Sequence, residues 1–194
     1  MDTERLVAIL SGYYSSLSDS FRAALQREAT FLSLPKNHFL IEAPRPPEFV
    51  YLLQEGFAAG FVYEEGQRKI HSFWGVGDVI LSPQRCFEKT TSEEFVQLSE
   101  TSEVWCLSHA SLGHLLELHE EARTLYRTVL GRYYALTRAR LFDIQHRTAW
   151  QRFQKLLEQF PQLEQKVSQE CIASYLGITP QSLSRIKREH RGSS

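Results

Sequence analysis

The strongest constraint on this 194-residue chain lies near its end, where one glycine separates two short helical patterns. The stretch reads Ser168-Gln-Glu-Cys-Ile-Ala-Ser-Tyr-Leu-Gly-Ile-Thr-Pro-Gln-Ser-Leu-Ser-Arg-Ile-Lys-Arg188. Ser168 is placed to cap a first helix, and Glu170 falls in the first turn, where the helix dipole favours an acid. Ile172, Ala173 and Leu176 form its inward stripe. Gly177 stands where that helix must stop, the position that favours a left-handed residue. Thr179 then caps a second helix, and Pro180 takes its first position, where a missing N–H is harmless. Leu183 and Ile186 anchor the second helix to the first, and the small Ala173 lets the two cross closely. The pattern predicts a helix–turn–helix.

The same geometry sets the opposite face. With Leu183 and Ile186 inward, Gln181, Ser184, Arg185 and Arg188 point outward, and Ser182 and Lys187 lie on the flanks. Gln and Arg can make paired contacts with adenine and guanine edges in the major groove, whereas Lys187, Arg188 and Arg191 suit phosphates. Charge agrees with this assignment. The chain carries a net −1, but from Gln145 onward there are eight Lys/Arg against four Glu, which leaves 14 basic and 19 acidic residues before it. A locally basic tail of about +4 attracts phosphate, and an acidic remainder of about −5 limits non-specific adhesion.

The rest of the chain changes period twice. Residues 1 to about 35 look helical: Leu6, Ile9 and Leu10 recur at helical spacing, a second stretch begins at Ser18 with Phe21, Leu25 and Ala29 inward, and Pro35 closes it. Residues 37 to 108 then show seven short aromatic and β-branched runs separated by turn formers such as Glu55-Gly56, Glu65-Gly66 and Gly75-Val-Gly77. That spacing predicts a small β-sandwich or barrel. From Ser108 the helical period returns, with a long helix over Glu120 to Gln145 whose apolar residues cover nearly half its circumference. Such a helix faces two neighbours, the β-domain and a second copy of itself, or else buries one broad face within its own domain. Leu125, Val129, Arg132 and Leu136 are the candidate dimer-interface residues, and Gly131 suits a close approach of two backbones. One more amphipathic helix, from Trp150, stops at Phe160-Pro161.

The segment from Gln169 to Ile186 closely resembles the helix–turn–helix of the Crp/Fnr transcription regulators. The resemblance extends over essentially the whole chain, and Arg152-Phe-Gln-Lys-Leu-Leu157 followed by a proline is similar to the compact, Bacteroidetes-type members. It implies an α+β chain in three parts. An N-terminal double-stranded β-helix (a jelly roll of the cyclic-nucleotide-binding type) with flanking helices spans 1–118, a dimerisation helix 119–146 and a DNA-binding domain 147–194. It also implies double-stranded DNA and a second copy as partners, with RNA polymerase and an unidentified small-molecule effector as further candidates. Thr179, Gln181, Ser182, Ser184, Arg185, Lys187 and Arg188 are then the DNA-binding residues. A hinge near Ile144–Ala149 would set the spacing of two recognition helices.

The sensor departs from that pattern. Nucleotide-binding members carry a Gly-Glu pair that holds the ribose and an Arg-Ser/Thr-Ala segment that clamps the phosphate. Here Gly77-Asp78 stands at the first position and Ser92-Glu93-Glu94 at the second, with Arg85 and Lys89 the nearest bases. Carboxylates at a phosphate clamp repel the ligand, so a response to cyclic AMP or GMP is not expected. Phe61, Phe73, Gly77 and Asp78 form the candidate pocket for another effector. Phe61, Tyr63, Phe73 and Trp74 are either core or its lining.

Other chemistry finds little support. Cys86, Cys106 and Cys171 are odd in number and widely spaced, which predicts a reducing compartment and no disulfide framework. Cys86 is either redox-active, with Arg85 and Lys89 beside it, or an ordinary loop cysteine. His71 reads as a polar residue flanking a turn. His109, His114 and His119 are spaced five apart and share no helix face, so no metal site, haem ligand or iron–sulfur cofactor is expected. No phosphate loop, Gly-x-Ser-x-Gly or His-Glu-x-x-His supports an enzyme. No apolar run reaches membrane length and the N-terminus lacks signal-peptide order, so a cytoplasmic protein is expected. The alternative function is a ligand sensor that acts through protein contacts, its C-terminal domain degenerate.

Overall fold

The computed structural model describes residues 3–82 and 93–190. Arg85, Cys86, Lys89, Ser92 and Arg191, singled out above, lie outside the described residues. Two helices, α1 (Thr3–Ser11) and α2 (Asp19–Glu28), lead into eight strands. These are β1 (Thr30–Leu34), β2 (Phe39–Ile41), β3 (Phe49–Glu55), β4 (Ala58–Glu64), β5 (Gln67–Trp74), β6 (Val79–Ile80), β7 (Phe95–Leu98) and β8 (Ser102–Ser108). Helix α3 (His109–Leu118), the long α4 (Glu120–His146) and α5 (Ala149–Gln159) follow. A single turn, α6 (Leu163–Lys166), then precedes α7 (Gln169–Leu176) and α8 (Pro180–His190).

The strands form two four-stranded antiparallel sheets, ordered β1-β8-β3-β6 and β2-β7-β4-β5. Apart from the β4–β5 hairpin, sequential strands cross from one sheet to the other, and the turn at Gly56 makes the crossing from β3 to β4. Gly56 has φ +110°, and a Cβ there would sit 2.0 Å from Ser102 Oγ. Only glycine fits that corner.

Both faces of both sheets are covered, so the molecule is layered as helices, sheet, sheet, helices. Between the sheets lie Leu53, Ala58, Ile80, Val96, Leu98 and Val104, all nearly fully buried. The outer face of the first sheet presents Leu52 and Trp105 to α1, α2, α3 and the start of α4. The outer face of the second presents Phe57, Phe61, Ile70 and Phe73 to the C-terminal helices. Burial is therefore continuous through residues 51–54 of β3 and 104–106 of β8: side chains alternate between faces, and helices take the face that solvent would otherwise wet. A polar contact is sealed inside: Trp105 Nε1 donates to Gln54 Oε1 at 2.8 Å, and Gln54 Nε2 donates to Glu103 at 3.0 Å.

Two sequence expectations are corrected. The N-terminal helical region does not run to Pro35: α2 ends at Glu28, and Thr30–Leu34 is an edge strand paired with Ser102–Cys106. Thr, Phe and Leu at 30–32 fit a pleated surface, and Phe31 packs on Trp105 with ring centroids 5.1 Å apart. His71 does not flank a turn but lies inside β5.

Gly56→Ala should destabilise the protein by more than about 1 kcal/mol, from left-handed strain plus the Ser102 clash. Urea unfolding of the full chain measures it, and an unchanged midpoint would contradict the corner geometry.

Candidate nucleic-acid interface and effector cavity

The helix–turn–helix forms as its sequence dictates. Ser168 Oγ accepts from Cys171 N at 3.3 Å, capping α7. Gly177 is left-handed (φ 69°, ψ 34°), and the amides of Gly177 and Ile178 close the end of α7 by donating to Ser174 O and Ala173 O. Thr179 Oγ1 accepts from Ser182 N at 3.1 Å at the head of α8. Ile172, Ala173 and Leu183 are fully buried against one another.

On α8 the side chains of Gln181, Ser184, Arg185 and Arg188 are exposed and Ser182 is half-buried. Arg185 makes only a loose 3.9 Å pair with Glu189 on its own helix, which leaves its guanidinium reach intact. Thr179 is exposed but engaged in the cap. Lys187 stands apart from this group: its ammonium pairs with Glu164 of α6 and lies over the Phe153 ring, leaving the side chain 14% exposed. Its charge braces the domain rather than the outward face. The C-terminal end of α8 is supported by His190, which stacks on Trp150 at 4.2 Å and lies 2.8 Å from Ile186 O through Nδ1.

The unit is docked on the second sheet, through residues that carried no signal in sequence. Ser174 of α7 accepts from Ile70 N (2.9 Å) and donates to Arg68 O (3.1 Å), satisfying the open edge of β5. Arg140 of α4 donates to His71 O (2.5 Å) and to Tyr175 O (3.0 Å), and its guanidinium lies 3.8 Å over the Tyr175 ring. One cation thus joins the long helix, β5 and α7. Arg152 donates to Leu176 O at 2.9 Å, and Lys166 pairs with Glu100 at 2.6 Å. A serine inside a helix, free to bond elsewhere, was the one available hint.

Between β5, α4 and the C-terminal helices lies a cavity of about 490 Å³. Phe73 and Asp78 line it as expected, together with Trp74, Glu94, Arg132 and Tyr175. Phe61 does not: it is buried in the core, stacked on Phe95 with Arg68 over its ring. Tyr63 is half exposed at the surface, and Gly77 is not part of the lining. Both oxygens of Asp78 are engaged, one by Gly75 N (2.9 Å) and one by Arg132 (3.1 Å). Burial raises the pKa of Asp78 against the pull of these partners, and burial raises that of Glu94. Two nitrogen atoms on the lining residues, His71 Nε2 and Arg152 Nε, are buried with no hydrogen-bond partner. Burial, then the Arg140 charge, lowers the His71 pKa to about 4.

The dimer candidates divide. Leu125 and Val129 are buried against the protein's own N-terminal unit, and Arg132 is tied to Asp78. Only Leu136 of the four is an exposed apolar side chain. The helix has two apolar sides, and Leu125 and Val129 belong to the inward one rather than to a partner-facing one. Past Tyr133 it carries Tyr134 (68% exposed), Leu141, Phe142 and Ile144 into solvent.

Neither protein-family models nor curated sequences match this chain. Solved structures do. The structure of FixK2 from Bradyrhizobium japonicum is 20% identical, with a TM-score of 0.72 over 85% of each chain. A transcriptional regulator assigned to the Crp/Fnr family, from Eubacterium rectale, is 12% identical, with a TM-score of 0.73 over 94% of this chain and 88% of its own. The c-di-GMP-responsive global regulator CLP from Xanthomonas campestris is 13% identical, with a TM-score of 0.70 over 91% and 93%. The chain has the fold of Crp/Fnr-type regulators, a cyclic-nucleotide-binding-like β-roll with a helical C-terminal domain. Among the described residues no helix is long and apolar enough to cross a membrane, and no cluster of three or more His, Cys, Asp or Glu could hold a metal.

Because folding holds the His71 imidazole neutral, its contribution to stability is fully present above its ordinary pKa near 6.5 and is lost as pH falls toward 4. The wild-type protein should therefore lose stability across that window relative to His71→Asn. Parallel melting curves of the two proteins from pH 7 to 4 check this, and curves that stay parallel would refute it.

Proposed function

We propose that this protein is a sequence-specific, double-stranded-DNA-binding transcription regulator of the Crp/Fnr type, acting as a homodimer in the cytoplasm and performing no catalysis. The observation that carries the reading is the outward face of α8, where Gln181, Ser184, Arg185 and Arg188 stand exposed on a helix fixed by a glycine turn, a threonine cap and a buried Leu183. A helix so presented can enter the major groove, with Gln181 and Arg185 at base edges and Arg188 at phosphate. The fold of the neighbouring structures, one of them named as a transcriptional regulator and another as a global regulator of gene expression, supports it.

Division into a sensor (1–118), a dimerisation helix (119–146) and a DNA-binding domain (147–194) follows from the same reading. The apolar side chains on the distal half of α4, from Tyr134 to Ile144, are the surface we assign to the partner copy. Pairing there would set two α8 helices about one turn of DNA apart. The 490 Å³ cavity is the proposed effector site, because Arg140 and Tyr175 on its wall also hold the helix–turn–helix to β5. An occupant that moved Arg140 would shift the population between docked and released domains. Glu94 on the wall and the engagement of Asp78 support an effector other than cyclic AMP or cyclic GMP.

Selection of bound sequences from a random duplex pool, followed by titration in rising salt, tests the reading. Affinity should fall steeply with salt. Arg185→Ala should lose about 1–3 kcal/mol at the selected site and relax its sequence preference, while Arg188→Ala weakens all sequences alike. A protein that selects no sequence and binds no duplex at low salt would refute it, and would favour a sensor acting through protein contacts. Leu141→Asp should yield monomers by sedimentation and weaken operator binding. A dimer that persists would move the interface off α4.

A further inference from the structure

The N-terminal unit holds a second cavity, of different character and on the opposite side of the β-roll. It measures about 110 Å³ and lies between α1, α2, the outer face of the first sheet, α3 and the start of α4. Leu6, Leu25, Leu52, Trp105, Leu115 and Leu125 are among its walls, and none of the residues lining it is charged.

Three observations argue that this space is built for an occupant. Interiors are ordinarily packed to crystal density, with few voids larger than a water molecule. Water is a poor filler, since it needs two to four polar partners. The indole N–H on the wall is already given to Gln54, and burial pushes the Cys106 thiol up to about 11, so it stays a neutral weak donor. The rim is reachable: Leu10, Val50, Leu107 and Leu112 are only partly buried, while the floor at Phe21 and Leu115 is closed. Apolar cavities of about 150 Å³ stay dry and take up benzene or xenon.

We propose that this cavity is a binding site for a small, neutral, apolar molecule the size of one six-membered ring, held by dispersion contacts alone. Ala122, Leu125, Tyr126 and Val129 of the long helix form one wall, so the occupant packs directly on the element that leads to the C-terminal domain. Binding itself does not depend on the DNA reading.

Thermal unfolding of the full chain with toluene, against cyclic AMP as the polar control, tests the site. Toluene near saturation should raise Tm by about 2–4 °C. The filling substitution Ala122→Leu should abolish that rise. In isotope-labelled wild-type protein, toluene protons should show magnetisation transfer to the methyl groups of Leu25, Leu115 and Leu125, which decides the site even if the variant fails to fold. No shift in the wild-type protein, an equal shift in Ala122→Leu, or transfer to Phe73 and Tyr175 instead would overturn the proposal.

Discussion

The outer face of the second sheet has to be covered, and much of the molecule follows from how that is done. Phe57, Phe61, Ile70 and Phe73 present aromatic and aliphatic surface away from the β-roll. At roughly 25 cal/mol per Å² of apolar surface, leaving this face wet would offset much of what a domain of this size has in hand. The cover is the helix–turn–helix unit itself, since Ile172, Ala173, Leu176 and Leu183 belong to the same cluster. The β-roll and the C-terminal helices therefore share one core, rather than meeting as two finished domains across a wet interface.

Polar contacts give that shared core its register. Apolar packing tolerates sliding; hydrogen bonds to backbone do not. Ser174 occupies the open edge of β5 with one donor and one acceptor, matching an amide and a carbonyl two residues apart. Arg140 then spans three elements with a single planar group, which a lysine could not do because its ammonium offers no fork and no face to stack on Tyr175. These contacts consume no outward residue of α8, so docking leaves that face unconstrained.

What could be read from the chain was mostly local. Gly177, Thr179 and Pro180 each have a conformational reason to be where they are, and the structure around them is as those reasons require. The same holds for the caps at Ser108 and Ser168 and for the limits of the long helix. Long-range matters were not legible. Thr30–Leu34 becomes a strand because β8 is there to pair with it, some 70 residues away. Lys187 looks like a phosphate contact by position, yet Glu164 on a one-turn helix captures it. Phe61 and Phe73 are indistinguishable in sequence and share one buried cluster, yet only Phe73 also reaches the wall of the cavity.

The long helix shows why periodicity alone misassigned its faces. Its apolar residues span nearly half the circumference, so a period of 3.6 identifies two sides without saying which meets which neighbour. The answer changes along its length. Up to Val129 it lies against the N-terminal unit and its inward residues, Ala122, Leu125 and Val129, are buried. From Arg132 onward, Arg132, Tyr133 and Arg140 contact the roll through Asp78, the Leu81 carbonyl and the β5 carbonyls. There its apolar side chains open to solvent on several sides. The helix is held by core packing at one end, and at the other by Arg140 on β5 and α7 and by Asp143 on Arg147 and Lys155. Exposed patches of this kind mark interaction surfaces. Arg132 and Arg140 therefore mark the boundary between the half of α4 packed on the N-terminal unit and the half whose apolar side chains stand exposed.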